Sequence, residues 1–417
     1  MSNGDDVFDT VAYAHIALVT IMSLPLNPPF RAEQIGSLKR PAELLAKREE
    51  FHAGKCTREE LRAVEDEAIK NEIKRQHSCG IKGVTDGEFR RHMFWDGFHN
   101  NLDGMEVIQN PGRELFKMYV PDIKAFFESH ASKPGDTMVC TGKLVRNKPM
   151  YRPEFEYVAS QVKPEEVKNV KITLAAPEWY HLRHGEHAFN RKVYPSEVEY
   201  FADLAKAYRE ELADLYEAGC RNVQFDDPLL AYFCAVPMLE GMKAEGIEPS
   251  KVLDQYIQLY NDCVRDAPSD MVIGLHLCRG NFKDGMHFSE GGYEHISKKL
   301  FKELNAQVYY LEYDTARAGG FEPLADLPQN KIVVLGLVTS KFPQLEDKQD
   351  LINRINEAAD FVAKGNGISR EQALKQLAIS PQCGFASHAE GNPVSSDDVL
   401  AKLTLVSDVA KAVWSDA

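Results

Sequence analysis

Short apolar segments alternate with longer helical stretches along the chain, and this alternation restricts the possible folds more than any other feature of the sequence. Several of the segments are continuous apolar runs, as expected for parallel strands that are covered on both faces. Helical patterns fill the gaps, such as Ser196–Glu217, which begins with a capping-box pattern of Ser196 and Glu199 and is followed by Gly219. The eight predicted strands are Ala32–Ser37, Gly83–Glu88, Val170–Ala176, Asn222–Asp227, Val272–Cys278, Val308–Tyr313, Ile332–Val338 and Leu377–Cys383.

Eight strands that alternate with helices predict an α/β fold, namely a single (β/α)8 TIM barrel with insertions over residues 31–417. A doubly wound open sheet is the alternative, but no strand is followed by the glycine-rich fingerprint of a dinucleotide site. The segment Met138–Lys143 lies outside the strand–helix rhythm, and we expect it to form an additional hairpin with Leu144–Met150.

Residues 1–30 precede the barrel pattern and are expected to form an N-terminal arm. Their apolar stretch, Val11–Leu26, has only 16 residues, contains His15 and has Pro25 near its end. A membrane span needs about 20 apolar residues, and a signal peptide begins with positive charge, whereas three aspartates precede this stretch. We therefore expect an arm that packs on the body or is loosely ordered.

The overall charge restricts the class of partner. The chain has 49 Lys and Arg against 63 Asp and Glu, a formal net charge of −14. Nucleic acids and anionic membranes bind clustered Lys and Arg, so neither is expected as a partner. Anionic small substrates remain possible, since the local charge at a site need not follow the total. The eight cysteines in 417 residues show no framework spacing, which favours a reduced, cytoplasmic protein.

Three of the predicted strands end in residues that bind metals. His276 and Cys278 are two positions apart on a strand and therefore point to the same face, Glu312 lies near the end of the next strand, and Cys383 ends the last one. A barrel would bring all four side chains to the rim where barrel active sites lie, and their N, S and O atoms match the ligands of zinc. An isolated His-x-Cys would more often be a buried cysteine beside a hydrogen-bonded histidine. A structural zinc site is the lesser alternative, because no C-x2-C pair is present.

Two acidic pairs end other strands, Asp86 with Glu88 and Asp226 with Asp227. They could capture a substrate ammonium group. Because buried carboxylates are costly without partners, they could instead form a salt-bridged rim with nearby arginines. Those arginines are Arg90, Arg91 and Arg279.

An aromatic and a histidine-rich motif follow the third predicted strand. Trp179 could stack on a flat ligand or simply pack in the core. His181, His184 and His187 are expected in a solvated loop.

These motifs together resemble the catalytic barrel of the cobalamin-independent methionine synthase family and its shorter single-barrel relatives. The resemblance covers nearly the whole chain after the arm. It runs through IGSLKRP (35–41), TDGEFRR (85–91), FDDP (225–228), HLCRGN (276–281), LEYD (311–314) and SPQCGF (380–385). It implies zinc bound by His276, Cys278, Glu312 and Cys383. It also implies that the amino-acid end of homocysteine is held by Ile35, Gly36, Ser37, Glu88 and Asp226.

The sequence departs from the long members of this family in two respects. They carry a second, metal-free barrel, for which 417 residues leave no room, and they have an Ile-His-Ser motif after strand seven whose histidine is thought to assist proton transfer. Here the segment reads LVTSK, with Thr339 in that place. Single-barrel relatives include a zinc enzyme that adds the thiol of coenzyme M to epoxides.

The resemblance therefore implies a zinc-dependent methyltransferase of methionine biosynthesis. It would transfer a methyl group from a methyltetrahydrofolate-type donor, as in the 5-methyltetrahydropteroyltriglutamate–homocysteine S-methyltransferases, to the thiol of homocysteine. The alternative is a thiol alkyltransferase or lyase with a different thiol or a non-folate donor. A zinc-stabilised binding barrel and a decarboxylase of the uroporphyrinogen type are further alternatives; the latter needs no zinc, so the ligand set argues against it.

Overall fold

A central parallel β-sheet organises the molecule. The computed structural model describes residues 27–128 and 135–417. Six of its strands are hydrogen-bonded in chain order, each to the next, and every pair is parallel. They are β3 (Lys171–Ala175), β4 (Asn222–Asp226), β5 (Val272–Leu277), β6 (Val308–Glu312), β7 (Ile332–Val338) and β8 (Leu377–Pro381). Six of the eight predicted strands are thereby confirmed, within a few residues at their ends.

The first two predicted strands close the barrel but are not regular strands. Ala32 forms a single parallel bridge with Ile379 of β8, and the amide of Lys171 in β3 donates to the carbonyl of Val84 at 2.9 Å. Side chains join the two segments to each other, because Thr85 Oγ1 donates to the carbonyl of Gly36 at 2.8 Å. The prediction of a (β/α)8 barrel is confirmed. The prediction of regular strands at 32–37 and 83–88 is wrong, because side-chain hydrogen bonds replace part of the backbone ladder there.

The longer helices cover the outer face of the barrel. The capping pattern predicted at Ser196 is confirmed, since its amide donates to the carboxylate of Glu199 at 3.2 Å. The α-helices are α1 (Ala42–His52), α2 (Arg58–Ser78), α3 (Pro121–Glu128), α4 (Arg152–Ser160), α5 (Trp179–His184), α6 (Glu197–Glu217), α7 (Pro228–Tyr232), α8 (Val236–Ala244), α9 (Pro249–Val264), α10 (Ser297–Glu303), α11 (Lys348–Asn366), α12 (Arg370–Leu374) and α13 (Ser396–Val413).

An antiparallel two-stranded sheet is inserted before β3. It pairs β1 (Asp103–Ile108) with β2 (Thr137–Val145), with Ile108 opposite Thr137 and Asp103 opposite Val145. The predicted hairpin of Met138–Lys143 with Leu144–Met150 is therefore wrong. The strand continues through Lys143 and Leu144, and its partner comes from an earlier segment that local patterning did not identify.

The core has two parts that follow from the alternation of side chains along each strand. A small apolar cluster fills the barrel interior, and a much larger one lies between the strands and the helices. The interior cluster consists of Ile35, Val308, Tyr310, Ile332, Val334 and Ala378. These residues fill the barrel below the carboxyl ends of the strands, so the polar residues at the strand ends face a cavity rather than a pore.

Most of the expected N-terminal arm, residues 1–26, lies outside the described residues. Its last three residues, Pro28, Pro29 and Phe30, are buried. Within the described part of the chain, no helix is long and apolar enough to cross a membrane.

Candidate metal and substrate site

Three of the four predicted metal ligands lie together at the end of the barrel. His276 is on β5, Cys278 follows the last residue of that strand, and Cys383 follows β8. Their ligand atoms all lie within 4.8 Å of one another, the two Sγ atoms are 3.3 Å apart, and all three residues are buried. The two-residue spacing on β5 places His276 and Cys278 on the same side, as the sequence predicted.

The hydrogen bonding of this group fits a metal. His276 Nδ1 faces the carbonyl of Tyr310 at 3.2 Å, whereas its Nε2 is buried without a hydrogen-bond partner. A histidine that donates from Nδ1 to a carbonyl has the lone pair of Nε2 free, which is the usual arrangement of a zinc ligand. One imidazole and two thiols are also the donor types that zinc prefers.

The two cysteines differ in acidity. The Cys383 thiol and His276 both stabilise a thiolate at Cys278, which holds the pKa of Cys278 well below its usual range. The pKa of Cys383 is raised because its proton is shared with Cys278 and because it is buried. The amide of Gly280 also donates to Cys278 Sγ at 3.2 Å. Thiolate character is what metal binding requires.

Glu312, the predicted fourth ligand, is not part of this group. It ends β6 and is fully buried, but its Oε1 is 2.6 Å from Nη2 of Arg317, and its Oε2 accepts from the amide of Arg279 at 3.2 Å. Burial, reinforced by the negative charge of Cys278, raises the pKa of Glu312 to about 7. The role of Glu312 as a ligand therefore stays a prediction. In this structure its carboxylate is bound by Arg317 instead.

The residues predicted to hold the amino-acid end of the substrate meet the metal group in one cavity of about 690 Å³. Ile35, Ser37, Glu88 and Asp226 line its wall together with His276, Cys278 and Cys383. Gly36 belongs to the same turn. A Cβ atom there would lie 2.6 Å from Thr173 Cγ2, so only glycine fits.

Glu88 and Asp226 are the two carboxylates best placed to receive an ammonium group. Glu88 has a left-handed backbone with φ +58°, its Oε1 accepts from Thr173 Oγ1 at 2.8 Å, and its buried Oε2 has no partner. Asp226 Oδ1 accepts from Gln224 Nε2 at 2.6 Å. Burial raises the pKa of Glu88 to about 7 and that of Asp226 to about 6. A bound cation would relieve the cost of both charges.

The other members of the two acidic pairs have supporting roles. Asp86 Oδ1 accepts from the amide of Glu88 at 2.9 Å. Asp227 caps α7 by accepting from the amides of Leu229 and Leu230 at 2.7 and 2.9 Å. The predicted salt-bridged rim is present in part, because Arg91 lies 3.7 Å from Glu88.

Trp179 lines the cavity, but its ring already has stacking partners. Trp95 stacks on it at 4.5 Å, and the guanidinium carbon of Arg183 lies 3.7 Å from its centroid. The predicted role of Trp179 as a platform for a flat donor therefore stays a prediction that requires these partners to move.

The histidine-rich stretch is not the solvated loop that the sequence predicted. His181 and His184 are buried on α5, where His184 Nε2 bonds with Thr137 at 2.8 Å, and only His187 is exposed. Phe201 of α6 and Tyr256 of α9 pack against His181, and Thr137 of the inserted sheet bonds with His184, so both histidines are buried.

Several residues that build the site were missed in the sequence. Gln224, which holds Asp226, lies two positions before it, so strand alternation could have identified it. Arg317 and Lys341 lie in loops without a periodic signal. The ammonium of Lys341 donates to the carbonyls of Gly280 and Met286, at 2.7 and 3.2 Å, and so fixes the loop after Cys278. Thr339 does not line the cavity, and its amide donates to Glu346 at 2.7 Å.

Comparisons with known proteins agree with this geometry. Residues 30–412 match the family described as "Cobalamin-independent synthase, Catalytic domain". The chain is 35% identical to the uncharacterized protein YxjH of Bacillus subtilis (strain 168), over 93% of this chain and 95% of that protein. It is 29% identical to a protein named methionine synthase from Saccharolobus solfataricus, over 87% and 89% of the two chains.

A solved structure supports the same assignment. The putative vitamin-B12 independent methionine synthase from Listeria monocytogenes is 28% identical, with a TM-score of 0.68 over 92% of this chain and 98% of that one. Since the family match spans almost all of the described barrel, the chain belongs to the cobalamin-independent methionine synthase family.

Proposed function

We propose that this protein is a zinc-dependent methyltransferase that methylates the thiol of homocysteine to form methionine. One observation carries the proposal: a His–Cys–Cys group and two buried carboxylates share one cavity, so a thiol and an ammonium group of the same molecule can be bound together. The names of the relatives, which include methionine synthase, support the same reaction.

The carboxylates would orient the substrate. Glu88 Oε2 has no other partner and can accept from the ammonium, and Asp226 adds a second charge held in place by Gln224. The turn at Ile35–Ser37 lines the wall beside them. A charge-assisted hydrogen bond to a buried carboxylate contributes about 1.5 to 3 kcal/mol, which is sufficient to select an amino acid over a simple thiol.

His276, Cys278 and Cys383 would hold the zinc, with Glu312 as the fourth protein ligand when its carboxylate leaves Arg317. A zinc ion on these ligands would lower the pKa of the substrate thiol, so that sulfur is present as the thiolate nucleophile at neutral pH. All three residues are nearly inaccessible to solvent, at 2%, 6% and 4% exposed, so little water reaches their ligand atoms.

The reaction forms a bond between the homocysteine sulfur and the methyl carbon and breaks the bond from that carbon to the donor. Tight positioning of both molecules in the cavity supplies much of the acceleration in such a displacement. The thiol proton leaves when the sulfur becomes a nucleophile. A neutral amine donor takes up one proton at its leaving nitrogen, which balances the proton lost by the thiol, whereas a cationic donor leaves that proton to the solvent.

The test is incubation of the zinc-loaded protein with homocysteine and a donor panel, read by the mass of methionine formed. The panel contains methyltetrahydrofolate as mono- and triglutamate, S-methylmethionine, S-adenosylmethionine and glycine betaine. Zinc-dependent methionine formation with any of them supports the proposal. Failure of all donors with fully zinc-loaded, folded protein would contradict it.

A further inference from the structure

We infer that the methyl donor is an onium compound, a sulfonium or quaternary ammonium, and not a polyglutamylated folate. The inference rests on the proposed function and concerns the part of the cavity beyond the metal group and the ammonium site. Two features of that part of the cavity support the inference, namely the sign of its charges and its aromatic walls. The chemistry of the donor's leaving group is a third argument.

Among the described residues that line the cavity, the charged side chains are predominantly acidic. They include six carboxylates but only one guanidinium and no lysine. The guanidinium belongs to Arg183 and forms an ion pair with Asp122 inside the same wall, so it is not free to receive a ligand carboxylate. The six carboxylates are Glu88, Asp96, Asp122, Asp136, Asp226 and Asp227. Glu88 and Asp226 are assigned to the homocysteine ammonium, Asp122 is paired with Arg183 and Asp227 caps α7, which leaves Asp96 and Asp136 for the donor.

Backbone amides stabilise two of these carboxylates in the outer part of the cavity. Asp96 Oδ2 accepts from the amides of His92 and Met93 at 3.1 and 2.8 Å, and Asp136 Oδ1 accepts from the amide of Asn110 at 3.1 Å. A folate triglutamate carries several carboxylates of its own and would meet like charge here, whereas a cation would be attracted.

Two aromatic clusters form much of the remaining wall. Trp95 contacts Phe94 at 5.1 Å between centroids and stacks on Trp179. In the second cluster, Phe126 lies 5.3 Å from Phe282 and 5.5 Å from Phe288. All six rings line the cavity. Aromatic walls with nearby carboxylates are the usual site for methylated onium groups, which are attracted to the ring faces and bring no hydrogen-bond donors.

The leaving group gives the third argument. In R–SH + CH3–S⁺R′2 → R–S–CH3 + SR′2 + H⁺, the new C–S bond forms as the C–S⁺ bond breaks. The electron pair of the broken bond stays on the leaving sulfur, which departs as a neutral thioether without taking a proton. A folate nitrogen must be protonated as it leaves.

The buried histidine that lines the wall apart from His276 does not supply such a proton. His99 lines the wall, but burial lowers its pKa to about 4, and its Nε2 faces the carbonyl of Ala176 at 3.2 Å. It is therefore uncharged at neutral pH. An onium donor removes the requirement for an acid.

The donor panel tests this inference separately from the proposed function. For the zinc-loaded full chain with homocysteine, kcat/KM is measured for S-methylmethionine, S-adenosylmethionine and glycine betaine, and for the mono- and triglutamate of methyltetrahydrofolate. We expect the best onium donor to exceed both folates by at least about tenfold, a difference of about 1.4 kcal/mol. A preference for either folate overturns the inference and leaves the proposed function standing. No turnover with any donor overturns both.

A variant pair tests the aromatic wall. Trp95→Leu removes the ring face and should raise KM for the onium donor about tenfold, within the range of a desolvated cation–π contact. Trp95→Phe keeps a face and should retain most of the affinity, and homocysteine binding by calorimetry should be the same in both variants. Unchanged onium KM in Trp95→Leu, or a triglutamate preference abolished by Trp179→Ala, overturns the inference.

Discussion

The guanidinium of Arg317 holds the carboxylate of Glu312 with two nitrogens, Nε at 2.7 Å and Nη2 at 2.6 Å from the same Oε1. Nη2 also lies 2.7 Å from Asp314, so Arg317 is fixed by two carboxylates. Glu312 is thus adjacent to the His–Cys–Cys group but is bound elsewhere. Arg317 is therefore the partner that Glu312 would have to leave in order to act as the predicted fourth ligand.

Replacing Arg317 with Met should tighten zinc binding about tenfold, because a buried carboxylate without a cation would bind the metal instead. The measurement is the zinc Kd by competition with a chromophoric chelator. Arg317→Lys keeps the charge and should stay closer to the wild type. Equal zinc affinity in all three folded proteins would show that Arg317 does not compete for Glu312.

Cys383→Ser and His276→Ala should each lose most of the bound zinc, because the remaining residues leave too few ligands for a tetrahedral site. Elemental analysis after dialysis measures the loss. Cys56→Ser is the matched control, since Cys56 is a free, half-buried thiol remote from the group, and it should retain zinc. Full zinc in both ligand variants with intact folding would disprove the assignment.

Asp226→Asn should raise KM for homocysteine, or lower kcat/KM, by about 10- to 100-fold, the effect of losing a charged hydrogen bond. Zinc content should not change. The neighbouring Asp227→Asn offers a contrast, because Asp227 caps α7 and its loss should reduce stability by about 1 kcal/mol. Unaltered kinetics in Asp226→Asn would remove its role in substrate binding.

His184 should make the folded protein less stable in mild acid. Burial lowers its pKa to about 4 from the ordinary value of 6.5, so between these pH values the unfolded chain binds the proton and the folded protein does not. Its contribution to stability is complete above pH 6.5 and falls as the pH drops towards 4, by on the order of 3 kcal/mol in total. His184→Gln keeps both hydrogen bonds without the titration.

Urea unfolding of the metal-free wild type and of His184→Gln between pH 4 and 7 measures this loss in the free energy of unfolding. The variant should lose less stability than the wild type as the pH falls. His187→Gln, at an exposed position on the same turn of chain, should follow the wild-type profile. Parallel profiles for the wild type and His184→Gln would contradict the account of His184.

The alternation of apolar strands with helices along the chain made most of the fold predictable. The spacing of His276 and Cys278 and the position of Cys383 after an apolar run were sufficient to place these three side chains at one rim, because parallel strands of a barrel end together. The partner of β2 was not predictable, since the pairing with Asp103–Ile108 is set by tertiary contacts rather than by the local pattern of residues 138–150.

The finer arrangement of the site depended on contacts that the sequence does not display. Glu312 follows the strand pattern, but its ion pair with Arg317 arises in a loop whose path has no periodic signal. Trp179 was correctly expected to be near the site, since it lines the cavity, yet its contacts with Trp95 and Arg183 could not be read from its position.

The central claim is that zinc on His276, Cys278 and Cys383 binds the substrate thiol directly, and zinc K-edge X-ray absorption tests it most directly. The zinc-loaded protein should show two sulfur ligands, from the two cysteines, and addition of homocysteine should raise the count to three. Binding of homocysteine, verified by calorimetry, with the count still at two sulfurs would contradict the account.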